Sequence, residues 1–99
     1  MDSELKRDLM DNFIVTVAGV NHVGIVAGVS TALSHLDVSI INISQTLVGD
    51  YFTMIMECTL GAAEPNLTVV QETMSVVGAQ LGVDVRVQSE SIFDAMHRM

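Results

Sequence analysis

Asn21 and His22 interrupt an apolar run, V-A-G-V-N-H-V-G-I over residues 17–25, with Gly19 and Gly24 close on either side. A carboxamide offers an acceptor and a donor together, and an imidazole can do either job. If a helix starts near Gly24, its first amides lack intrahelical acceptors and carry the positive end of the helix dipole. A carboxylate can dock there while Asn21 holds an ammonium group. Gly24 removes the Cβ that would block approach to the backbone, and Gly19 frees the end of the preceding strand to turn. The same residues also suit a plainer role, Asn21 as a helix cap and the glycines as turn formers. Spacing leaves both roles open. The segment is neither a Walker loop nor G-x-G-x-x-G.

A second polar notch lies in I-N-I-S-Q, residues 41–45. Asn is depleted in strands, so Asn42 between Ile41 and Ile43 marks either an exposed edge or a second amide aimed at the first loop, within the chain or across a dimer. Ser44 and Gln45 extend the notch. Catalysis finds no support. His22, His35 and His97 fall in a loop, at a helix end and in the last residues, without metal-ligand spacing, and no nucleophile stands beside a base. Cys58, between Glu57 and Thr59 and with Met56 and Leu60 beyond, reads as a small buried hydrophobe. No catalytic residue, metal site or cofactor is expected.

The elements that position these groups follow from hydrophobic period. Phe13 to Val20 is β-branched and alternates, a strand. From Gly24 the period changes, with Ile25, Val29, Ala32, Leu33 and Leu36 at helical spacing and Asp37 at the close. Val38 to Leu47 and Tyr51 to Leu60 are strands joined by a tight turn at Gly49 and Asp50, an antiparallel hairpin. Leu67, Val70, Met74, Val77 and Leu81 form a second helical stripe, with Glu64 or Asn66 as cap and Gly82 as stop. Val83, Val85 and Val87 alternate with Asp84, Arg86 and Gln88, a fourth strand. The order βαββαβ with right-handed crossovers predicts an α+β, ferredoxin-like fold: a four-stranded antiparallel sheet with both helices on one face. Residues 1–11 read as an N-terminal extension, and 91–99 as a short C-terminal helix with Ile92, Phe93 and Met96 on one stripe. The uncovered sheet face, with some of Ile41, Ile43, Ile55 and Thr59, is too apolar to be left in water, which predicts self-association.

Composition narrows the function further. The 99 residues carry 12 acidic and 4 basic side chains, a formal charge of −8. Lys6, Arg7, Arg86 and Arg98 are too few and too scattered to track a phosphate backbone or an anionic membrane, so neither nucleic acid nor membrane is an expected partner. The N-terminal residues lack the apolar core of a secretory signal, and the single cysteine fits a reducing compartment. A cytoplasmic location is expected.

With these elements placed, V-A-G-V-N-H-V-G-I at the first strand-to-helix turn, I-S-Q-T with Y-F-T-M in the hairpin, and Q-S-E-S-I-F-D-A-M-H near the end resemble the ACT domain, and within it the stand-alone UPF0237 group. The resemblance spans residues 12–99. It implies a regulatory module, without enzyme activity, that binds an amino acid or other small metabolite as a homodimer or higher homo-oligomer and acts on a separate regulated protein. Carried onto this chain, the ligand lies by Asn21, His22, Val23, Gly24 and Ile25, with Asn42, Ile43 and Ser44 from the second strand, often of a second chain. Many family members have Asp where Asn21 stands, which takes away a purely ionic ammonium contact. The alternative is an oligomerisation or protein-interaction module without a small-molecule ligand.

Overall fold

The computed structural model describes residues 12–60 and 66–89. The N-terminal extension, Glu64 and the terminal helix expected over 91–99 lie outside them. In chain order the elements are β1 (Asn12–Val20), α1 (Ile25–His35), β2 (Val38–Val48), β3 (Tyr51–Leu60), α2 (Leu67–Leu81) and β4 (Asp84–Ser89). The strands form one antiparallel sheet in the order β2-β3-β1-β4, the ferredoxin-like arrangement expected from the element order.

Alternation along the strands builds the core. Phe13, Val15 and Val17 of β1 stand opposite Cys58, Met56 and Met54 of β3, and all six are buried. Ile25, Val29 and Leu33 of α1 and Val70 and Met74 of α2 close over them at helical spacing. With no Trp in the chain, Met54, Met56 and Met74 join Phe13 and Phe52 as the large side chains of this core. Asn66 caps α2, its side-chain oxygen accepting from the Val69 amide at 3.0 Å, and the helix ends at Gly82.

Gly19 has a different task from the one its position suggests. A Cβ there would sit 2.9 Å from Cγ1 of Val83, so glycine is required for close approach to the residue leading into β4, not for a turn.

One irregularity fixes the faces of β2. Ile40 pairs with Cys58 but Asn42 pairs with Glu57, so Ile41 is an extra residue, a β-bulge. The extra residue inverts the alternation from there onward. Ile43, Gln45 and Leu47 stand opposite Met56, Met54 and Phe52 and therefore share the helix side, while Asn42, Ser44 and Thr46 share the other face with Glu57, Ile55 and Thr53. Of the four residues from which the open face was expected to draw, Ile43 lies on the helix side and Ile41 is the bulge, whereas Ile55 and Thr59 do lie on the open face. Beyond the bulge β2 outruns the helix layer: every residue from Ile41 to Val48 is exposed.

Candidate functional site

The β1–α1 loop sits at the same end of the sheet as the β2–β3 turn, because Val20 pairs with Tyr51 and Tyr51 with Val48. The Asn21 backbone amide donates to the Asp50 carbonyl at 2.8 Å and ties loop to turn. The Asn21 side chain does not cap the helix. Gly24 occupies the cap position of α1 at φ 97°, no side chain accepts from the first-turn amides, and the first turn holds no acidic residue. The earliest helical bond runs from the Gly28 amide to the Gly24 carbonyl at 2.9 Å, which leaves the amides before it with the positive end of the helix dipole. Space at Gly24 is open, with nothing within 4 Å of where a Cβ would stand.

A cavity of about 360 Å³ opens beside Asn21, lined also by Gln45, Thr46, Leu47 and Phe52. Two carboxamides, of Asn21 and Gln45, line it with Leu47 and Phe52, a mixture of polar groups and apolar floor that fixes a small polar ligand. No charged side chain lines it. A larger cavity of about 460 Å³ lies between the helices, lined by Ala27, Gly28, Ala32, Val77 and Leu81 with Thr31, His35 and Gln80, away from the β1–α1 loop residues.

The residues expected at the site separate into two groups. Asn21, His22, Val23 and Gly24 are exposed on one loop, and Val23 at 98% exposure is an apolar side chain left wholly in solvent. Ile25 follows them, but its side chain is a core residue at 2% exposure, so it offers the site a backbone amide alone. His22 is bound elsewhere. Its Nε2 donates to the Leu81 carbonyl at 2.7 Å while Nδ1 faces the Val23 carbonyl at 3.0 Å. Leu81 ends α2, so its carbonyl has no intrahelical donor, and His22 fastens the loop to that helix end.

Asn42, Ile43 and Ser44 are not brought to the loop within one chain. Asn42 pairs with Glu57, which pairs with Ile14, six residues along β1 from Val20 and roughly 20 Å away at strand rise. Gln45, Thr46, Leu47 and Phe52 stand at the loop instead. The signal for Thr46, Leu47 and Phe52 was present in the short Gly49–Asp50 turn, which sets the end of β2 against the start of β3 and so beside the end of β1.

The other reactive groups take no part. Cys58 is fully buried, and burial, with a smaller contribution from Glu57, pushes its thiol up to about 12. Among the described residues no three of His, Cys, Asp and Glu come together as metal ligands. No helix among them is long and apolar enough to cross a membrane.

Residues 11–88 match the family model of the ACT domain. The chain is 43% identical over 86 residues to a UPF0237 protein of Corynebacterium glutamicum, covering 87% of this chain and 97% of that one. It is 41% identical over 90 residues to a UPF0237 protein of Methanopyrus kandleri, covering 91% of this chain and all of the other. Among solved structures, an ACT domain protein from Streptococcus pneumoniae superposes with a TM-score of 0.75 at 35% identity, over 89% of this chain and 99% of that one.

Proposed function

The chain belongs to the ACT domain family, and from that premise we propose that it is a non-enzymatic regulatory module that binds a small metabolite. The ligand is an amino acid, taken up beside the β1–α1 loop in a cytoplasmic protein that works as a homodimer. The observation that carries this reading is the cavity at Asn21. In it Asn21 and Gln45 supply neutral donors and acceptors over Leu47 and Phe52, and the loop that carries Asn21 runs on into the open first-turn amides of α1, which suit a carboxylate. A micromolar ligand requires about −8 kcal/mol, within reach of a few charge-assisted hydrogen bonds and a partly apolar floor.

The test is calorimetry and thermal shift with a panel of the common amino acids, on the native chain and on Asn21→Ala. Stabilisation by one member of the panel, lost in Asn21→Ala without change in the unliganded melting point, supports the reading. No stabilisation by any of them at millimolar concentration refutes the amino-acid version. A second reading, an interaction module without a ligand, draws on the exposed and uncharged β2 edge. Under that reading Asn21→Ala changes neither melting nor assembly.

A further inference from the structure

We propose that His22 serves the Asn21 site as a positioning residue: it does not hold the ligand but clamps the β1–α1 loop to the corner between α2 and β4, residues 81–83, so that each steadies the other. The inference rests on the site reading above and adds what holds the loop in place and which other part of the fold feels its occupancy.

The loop has few anchors of its own. Asn21, His22, Val23 and Gly24 are all exposed, and Val23 at 98% exposure contributes no packing. The Asn21 amide is tied to the Asp50 carbonyl at 2.8 Å, and the Gly24 carbonyl is tied into α1 by the Gly28 amide at 2.9 Å. Between these two ends the His22 side chain supplies the tie, its Nε2 donating to the Leu81 oxygen at 2.7 Å. A segment with so little buried surface opens cheaply, so one such bond sets much of its order. His22 is not among the residues that line the cavity, and both its ring nitrogens face carbonyl oxygens.

The acceptor is one that α2 cannot serve itself. At the end of the helix Gly82 turns left-handed with φ 72°, and the amides of Gly82 and Val83 fold back onto the carbonyls of Ala79 at 3.3 Å and Gly78 at 2.9 Å. The Leu81 carbonyl lies beyond their reach at the negative end of the helix dipole, and the last turn holds no basic side chain. A donor brought from another element meets that need, and His22 is that donor.

Close packing makes the corner stiff toward the loop. A Cβ on Gly19 would stand 2.9 Å from Cγ1 of Val83, and one on Gly28 would stand 3.0 Å from Cδ1 of Leu81. The chain therefore leaves the corner at Gly19 and meets it again at Gly28, with His22 bonded to it in between. Within α2 the fit is equally tight, a Cβ on Gly78 falling 2.9 Å from the Val83 oxygen. Contacts of this closeness transmit a displacement instead of absorbing it. A molecule that orders the loop thus steadies the His22 bond and, through it, the Gly82 and Val83 amides. By reciprocity, loss of that bond weakens what binds at the loop.

Three substitutions separate the bond from the bulk of the ring. The glutamine Nε2 stands where the imidazole Nε2 does, so His22→Gln retains a donor for Leu81, whereas His22→Asn is one carbon too short and His22→Ala has no donor. Amide hydrogen exchange is followed by NMR on the native chain and each variant with no amino acid added, the Val15 amide in the central strand β1 reporting global opening. Relative to Val15, exchange at Gly82 and Val83 is faster by about 2- to 10-fold in His22→Ala and His22→Asn and native in His22→Gln. Unchanged exchange at Gly82 and Val83 in His22→Ala, or His22→Gln behaving as His22→Ala, overturns the proposal. The amino-acid panel is run on the same four proteins, and a member that stabilises the native chain binds about 2- to 10-fold more weakly to His22→Ala. Equal affinity of the native chain and His22→Ala for that amino acid defeats the clamp and leaves the site reading standing. Exchange as expected, with no amino acid stabilising the native chain, defeats the site reading and leaves the clamp standing.

Discussion

Gly24 is the position at which the site and the fold make the same demand, and its replacement gives a worked number. Its φ of 97° lies in the left-handed region, where a Cβ crowds the following carbonyl at a cost of about 1–2 kcal/mol. Nothing lies within 4 Å of an added Cβ, so Gly24→Ala carries that backbone cost with no clash. Alanine also restricts the unfolded chain, which returns about 0.4–1 kcal/mol. The net loss is about 1 kcal/mol, or a fall in melting temperature of roughly 4–8 °C for a domain of this size. Gly24→Asn loses less, because asparagine tolerates this region, and Gly24→Val loses more through its branched Cβ. Chemical denaturation of the three variants with unchanged m-values checks the order Asn, Ala, Val. Equal stability in all three, or a gain in Gly24→Ala, refutes a left-handed residue at the head of α1 and with it the geometry of the open amides.

Asn66→Ala removes the oxygen that accepts from Val69 and lowers stability by about 1 kcal/mol in urea denaturation. Cys58 stays unreactive to thiol reagents in the folded chain, and it shapes the alkaline limb of stability. Burial pushes its thiol from 9.0 up to about 12, so its contribution is whole below pH 9 and is lost as pH rises toward 12. Cys58→Ala flattens that limb in a pH series of melts. The proposed homodimer strengthens as salt is raised from low to physiological concentration, because the approaching chains each carry −8, and sedimentation equilibrium at two ionic strengths reads the change.

Most of the fold was legible because period and punctuation agree. Val70 and Met74 sit at helical spacing between a capping Asn66 and a terminating Gly82, and Phe13, Val15 and Val17 alternate as a half-buried strand must. The bulge was not legible. I-I-N-I contains neither Gly nor Pro at the irregularity, and isoleucine fits either face of a strand, so nothing local says that Ile41 is the extra residue. Missing it assigns Ile43 to the wrong face. The loop residues of the site could be read from V-N-H-V-G-I, but their tasks could not. Whether Asn21 caps α1 depends on where its side chain turns once its amide is held by Asp50, and His22 finds its acceptor in Leu81, 59 residues away. Such long-range partners leave no periodic trace.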